Sequence, residues 1–201
     1  PVYKATRRLL KENNIVVWQF HDHWHLHRPD GILTGMLKEL GWKNQVEAEQ
    51  LARMNAPVES LADYYAMVKA ISHVNIPPMS LLDLAKMFKE KLDIQQVRIV
   101  GNLDLICSRL VLLPGKADGK VQMEWLGQDD VNVLVCGEIN EGEPDEYVRD
   151  AIQLQQKKGL IILGHANSEE AGMKWCAEWL RSLLPELKIT YLPTGDPFRF
   201  V

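Results

Sequence analysis

Apolar residues along the chain alternate between two spacings, and the alternation predicts an α/β protein. Val2 to Asn13 carries apolar residues at helical spacing and ends at Asn13-Asn14, a plausible cap. Ile15 to Phe20 is a β-branched and aromatic run, expected as a buried strand. Gly31 to Leu40 reads as a short helix closed by Gly41, and Trp42 to Arg53 contains a charged, solvated stretch. Val58 to Ser72 has an amphipathic period that places Leu61, Tyr65 and Val68 on an inner face. Asn75-Ile76-Pro77-Pro78 should break the chain and mark a segment boundary. Ser80, with Asp83 three residues later, opens a helix running to about Leu92.

The second half has shorter apolar runs. Val97 to Val100 and Arg109 to Leu113 are expected strands, with a turn at Pro114-Gly115-Lys116. An Asp118-Gly119 turn precedes a weak strand signal around Val121. Val131 to Cys136 is a strand that delivers Gly137-Glu138 at its end, and Pro144 opens a helix expected to close at Gly159. Leu160 to Leu163 has the length and flanking glycines of a buried strand. Asn167, with Glu170 three residues on, reads as the cap of a helix running from Glu169 to Leu184. Ile189 to Leu192 is expected as a last strand. From Val131 onward the order strand, helix, strand, helix, strand implies parallel strands joined by crossovers.

Composition narrows the class without naming it. The 201 residues are 46% hydrophobic and 25% charged, ordinary for a globular protein, and suffice for one large domain or two small ones. A formal charge of −4 argues against tight non-specific nucleic-acid binding, so nucleic acid is not an expected partner. Cys107, Cys136 and Cys176 match no zinc or redox spacing, and buried thiols in a reducing cytoplasm are expected. No apolar run approaches the ~18 residues of a membrane span, and no signal peptide is visible. Gly115-Lys116 is not a P-loop, because the earlier glycine and the following Ser/Thr are missing. The chain begins at Pro1 with a helix already under way, as expected for the remainder of a longer protein.

The candidate chemistry lies at strand ends. Gly164-His165 follows the Leu160–Leu163 run, with Glu169 four residues later in the first turn of the expected helix, where positive partial charge favours an ionised carboxylate. Imidazole and carboxylate at the carboxyl end of a strand suit a divalent metal, at the rim where open α/β sheets bind ligands. His21-Asp22-His23-Trp24-His25-Leu26-His27 holds four of the six histidines, after another expected strand. In an extended chain His21, His23 and His25 would share one side and Asp22 the other. Glu138 should share a rim with His165, as a third ligand, a general base or a solvated loop acid.

Gly164-His165-Ala-Asn-Ser168-Glu169, followed by Gly195-Asp196-Pro197-Phe198, resembles the Nif-three-like dinuclear metal-centre proteins, the GTP cyclohydrolase I type 2 homologues. Gly137-Glu138 and Arg109 to Gly115 also look like the family, and the resemblance runs from about Ile15 to the end. It implies two α/β lobes with mixed or parallel sheets flanked by helices: residues 1–76 as the remainder of an N-terminal half, and 77–201 as the C-terminal half. It also implies two divalent ions (zinc, manganese or iron) between the lobes, a ring-shaped homohexamer, and a cytoplasmic protein. His165 and Glu169 match the family's C-terminal ligand pair. His21 and His25 fit the spacing of an upstream histidine and metal-binding aspartate, but His25 stands where the aspartate belongs. Imidazole does not bridge two metals as carboxylate can, and Asp22 is a possible substitute. The family's first ligands would lie before Pro1, leaving room for fewer metals here.

The enzyme reading is a metal-dependent, cyclohydrolase-like hydrolase of a small, nucleotide-like substrate, although no residue selects a purine. In it His25, His165 and Glu169 hold metal, while His21 or Glu138 shuttles a proton. The alternative is a non-catalytic metal-binding oligomer, a scaffold or regulatory protein. A catalytic site keeps coordination positions open to water, whereas a structural site is closed.

Overall fold

The computed structural model describes residues 1–46, 52, 56, 57, 59, 60, 63 and 73–199. Its centre is a five-stranded mixed sheet in the order β1-β3-β4-β5-β2. The strands are β1 (His73–Ser80), β2 (Arg98–Val100), β3 (Ile106–Lys116), β4 (Val133–Glu138) and β5 (Gly159–Ile162). The helices are α1 (Val2–Glu12), α2 (His21–Leu26), α3 (Gly31–Leu40), α4 (Leu81–Lys91), α5 (Gly119–Leu126), α6 (Pro144–Gln153) and α7 (His165–Leu183). β3, β4 and β5 run parallel, in the register Val135↔Leu112 and Val135↔Ile161. The two edge strands, β1 and β2, are antiparallel to their neighbours.

Alternation along the central strands gives the sheet two apolar faces. Leu110, Leu112, Val133, Val135 and Ile161 pack with Met36 and Leu37 of α3 and Leu84 and Phe88 of α4. Their neighbours Val111, Leu113, Leu134, Cys136, Leu160 and Ile162 pack with Trp125 and Leu126 of α5 and Val148 of α6. Each fully buried side chain of this size contributes about 1.5–3 kcal/mol, so this three-layer core fixes the rim on which the chemistry sits. The expected pairing of Val131–Cys136 with Leu160–Leu163 is present as β4 beside β5.

Several local expectations are corrected. Ile15 to Phe20 belongs to no strand, and Val16, Val17 and Trp18 are exposed. The run has strand propensity, but it has no partner strand among the described residues. Asn75 to Pro78 lies inside β1, where a bulge between Asn75 and Met79 absorbs the two prolines. Pro114-Gly115-Lys116 likewise continues β3 across an irregularity, with Gly115 at φ +70°. Asp118 is a helix cap accepting from Lys120 N, so Gly119 to Leu126 is α5 and there is no strand at Val121. α6 ends at Gln153 rather than at Gly159, and Ile189 to Leu192 forms no strand. The expected amphipathic helix with Leu61, Tyr65 and Val68 lies outside the described residues, as does most of the stretch after Val46.

Two glycines set how closely α7 approaches α3. A Cβ on Gly35 would lie 2.4 Å from Gly172 Cα, and one on Gly172 would lie 2.5 Å from Ile32 Cα. The helices therefore cross backbone to backbone. Trp24 of α2 is fully buried beside this crossing, and its indole N–H donates to Gly172 O at 2.9 Å. Its ring lies over Gly31, where a Cβ would come within 2.1 Å of the indole. α2 is thus fastened to both helices at once.

Candidate metal centre

The site forms where α2, the start of α3 and the first turns of α7 meet the β3–β4 rim. α7 begins three residues earlier than the Asn167 cap predicts. Gly164, at φ +95°, is the N-cap, and its N–H still bonds to Gly137 O, so the chain passes directly from sheet to helix. Asn167 instead lies in the first turn of α7, donating to Leu163 O and Asp196 Oδ2, both at 3.0 Å. This places His165 on the helix rather than in a turn, with Glu169 one turn along on the same face. Their ligand atoms, His165 Nε2 and Glu169 Oε1, are 3.6 Å apart.

Ser168 explains the small polar residue between them. It is fully buried, accepts from Gly115 N at 2.8 Å and donates to His165 O at 2.7 Å. That pair of bonds ties the end of β3 to the start of α7. A Cβ on Gly115 would lie 2.0 Å from Glu169 Oε1, so the glycine leaves the space that the carboxylate occupies.

The histidine-rich stretch is corrected most. It is helical, so His21 and His25, four apart, share a face, while His23 stacks on Phe20 away from them. His21 Nε2 lies 3.3 Å from Glu169 Oε2, and His25 Nε2 lies 3.9 Å from Oε1. The two rings meet edge to face at 4.7 Å. Among the described residues His21, His25 and Glu169 form the one group of three whose ligand atoms all lie within 4.8 Å of one another. Of the expected ligands His25, His165 and Glu169, the structure brings each imidazole to the carboxylate. It also places His21, expected as a proton shuttle, at ligand distance.

All three imidazoles are held in the same way. His21 Nδ1 faces Asp22 Oδ1 at 2.9 Å, His25 Nδ1 faces Asp30 Oδ2 at 2.9 Å, and His165 Nδ1 faces Glu138 Oε2 at 3.2 Å. A carboxylate behind Nδ1 leaves Nε2 as the coordinating position. Glu138 therefore stands behind His165 and shares its other oxygen with Lys116 Nζ at 3.8 Å. Asp22 meets His21 and does not enter the cluster as a replacement ligand. Sequence reasoning assigned no role to Asp30, although an aspartate before Gly31 and an apolar helix is a legible cap signal.

The electrostatics follow from this enclosure. Burial disfavours a charged His25, but hydrogen bonding to Asp30 and the Glu169 charge outweigh it and raise its pKa to about 9. At 3.9 Å the Glu169 contact is an ion pair rather than a hydrogen bond, so Asp30 is the stronger partner. Burial pushes the Glu169 carboxyl up, yet His25 and the nearby His165 and His21 hold it below its usual value. Hydrogen bonding from His21 lowers Asp22.

A mixed α/β sheet bearing a compact imidazole–carboxylate cluster at the carboxyl ends of its parallel strands defines a protein with a candidate divalent-metal site. The Duf34/NIF3 (NGG1p interacting factor 3) model matches residues 2–197, and the chain belongs to that family. No curated protein matches the chain. Among solved structures, the fold is similar to Staphylococcus aureus protein SA1388, with a TM-score of 0.64 at 20% identity over 96% of this chain and 72% of that one. A Bacillus cereus protein related to NIF3 has a TM-score of 0.52 at 21% identity over 70% of this chain and 44% of its own. Reduced HcgD from Methanocaldococcus jannaschii has a TM-score of 0.55 at 13% identity, covering 87% and 60%. No described helix is long and apolar enough to cross a membrane.

Proposed function

We propose that the protein binds a divalent metal at Glu169, His21 and His25, with His165 as a fourth donor, and uses it to hydrolyse a small molecule. The observation that carries this reading is the convergence of three Nε2 atoms on one carboxylate, each ring backed by another carboxylate. The donors fit zinc, manganese or iron, and Gly115 supplies the space a bound carboxylate needs. The compact group of three would hold one ion, with His165 adding a donor beside Glu169. A bound ion would supply Lewis acidity and lower the pKa of its water. Glu138, partly exposed and 3.2 Å from His165 Nδ1, would then exchange a proton with solvent.

His21 and His165 side chains are 41% and 46% exposed, which favours an open, catalytic site over a closed structural one. A homo-oligomer, hexameric as in the family resemblance, and a cytoplasmic location belong to the same proposal. The test is metal analysis of the purified chain beside a His165→Ala/Glu169→Ala variant. Stoichiometric zinc, manganese or iron in the wild type, and its loss in the variant with the fold retained, are expected. Stoichiometric metal in the double variant would refute the site.

A further inference from the structure

We propose that Asp30 is the positioning residue of this centre: it fixes which nitrogen of His25 is offered to a ligand and couples that choice to the start of α3. The inference rests on the metal-binding reading for its functional consequence, but its geometry is independent of any ion. Asp30 is 4% exposed, and both of its carboxylate oxygens are engaged. Oδ1 accepts from Leu33 N at 2.9 Å, capping α3, while Oδ2 faces His25 Nδ1 at 2.9 Å. One rigid carboxylate therefore joins a helix terminus to an imidazole five residues earlier.

The chemistry of the pair is asymmetric. An ionised aspartate only accepts, so the proton between the two groups must reside on His25 Nδ1. That leaves Nε2, which points to Glu169, as the nitrogen that gives up its proton to a metal. Asp30 is itself too far back to be a ligand, being engaged at both oxygens. It acts through the ring, and the cap prevents it from rotating away. His21 has only the exposed Asp22 behind it, with no helix cap fixing that carboxylate. His25 is thus the rigid imidazole of the site and His21 the adjustable one.

Asp30→Asn separates capping from ring control. The asparagine oxygen can still accept from Leu33 N, and asparagine is as good a cap as aspartate. Its amide N–H₂, however, faces Nδ1 as a donor and favours the reversed tautomer, with the proton on Nε2. Asp30→Ser keeps the cap and removes the ring contact altogether. Both variants should fold, with helix content by circular dichroism unchanged.

The metal-free readout is the ¹⁵N imidazole spectrum of the full chain. Recorded above about pH 9, where the ring is neutral, wild-type His25 Nδ1 should resonate as a protonated nitrogen, and in Asp30→Asn it should move to the unprotonated range. An unchanged Nδ1 resonance in Asp30→Asn overturns the proposal. The second readout is zinc titration. Asp30→Asn should weaken zinc binding about 10–100-fold, as loss of a partner behind a ligand does. In a His25→Ala background the same change should have no further effect, because Asp30 acts through that ring. An Asp30→Asn loss that persists undiminished in the His25→Ala background also overturns the proposal. If wild type takes up no zinc while Nδ1 shifts as expected, the metal reading fails and the role of Asp30 in fixing the ring stands.

Discussion

Replacing Gly172 by alanine tests the link between the helix crossing and the site. The new Cβ would lie 2.5 Å from Ile32 Cα and 3.0 Å from Ile32 O, both backbone atoms that no rotamer change can withdraw. Ordinary carbon–carbon contact is ~3.5–4.0 Å, so α3 and α7 must separate by about 1 Å. Overpacking of this kind costs about 1–3 kcal/mol, and a clash with backbone belongs at the upper end. Alanine is better than glycine in a helix by about 1 kcal/mol, leaving a net loss of about 2 kcal/mol. For a protein of this size that lowers Tm by about 4–8 °C. The same displacement moves Glu169, one turn earlier on α7, away from α2 and its two imidazoles. Zinc affinity should therefore fall about tenfold or more, since ligand distances are fixed near 2.0–2.2 Å. Thermal unfolding and calorimetric zinc titration measure the two effects. A Gly172→Ala protein with unchanged or raised Tm and full affinity would show that the helices are not in backbone contact.

Ser168→Ala removes the acceptor of Gly115 N–H in a fully buried setting; a loss of about 1–3 kcal/mol is expected in denaturant unfolding, and a loss below about 0.5 kcal/mol would contradict it. In the metal-free protein, His25 has a folded pKa of about 9 against an ordinary value of 6.5, so its contribution to stability is complete below 6.5 and vanishes as pH rises through 9. The metal-free Tm should decline across that window, and His25→Ala should flatten this part of the profile. Burial raises Cys107 to about 11 and Cys136 to about 12, so neither should react with iodoacetamide at neutral pH until the protein unfolds. Rapid labelling of the native protein, located by mass spectrometry, would show that these sheet faces open.

Elements with strong local signals were legible from sequence. The Ser80–Asp83 cap, the Gly41 stop and the β4 and β5 apolar runs all stand where residue patterning places them. The site was legible in its residues but not in its geometry. His165 and Glu169 form their pair, yet on a helix that starts at His165 because the positive φ of Gly164 lets the chain turn without the Asn167 cap. α2 is not legible locally, because no side chain caps it and its six residues have no sustained helical period. Burial of Trp24 against Gly31 and Gly172 decides its conformation, and that is a long-range contact. Asp30 went unassigned for a related reason: its cap is local, but its bond to His25 exists only when the intervening residues fold back. Ile15 to Phe20 shows the opposite failure, where propensity indicates a strand but no neighbour among the described residues completes it.

The shortness of α2 has a thermodynamic consequence. A helix of fewer than about 12 residues is marginal in water even with favourable residues, and α2 spans only His21–Leu26. His21 and His25 can therefore hold their shared face only while Trp24 is docked between α3 and α7. In the unfolded chain the two rings are independent, and Glu169 lies more than 140 residues away along the sequence. A metal held by all three would bind the native chain far more tightly than the denatured one, so its binding energy would be added to folding. Docking of one tryptophan and occupancy of the site would then be linked equilibria: loosening either weakens the other, and chelation would first be felt as melting of a six-residue helix.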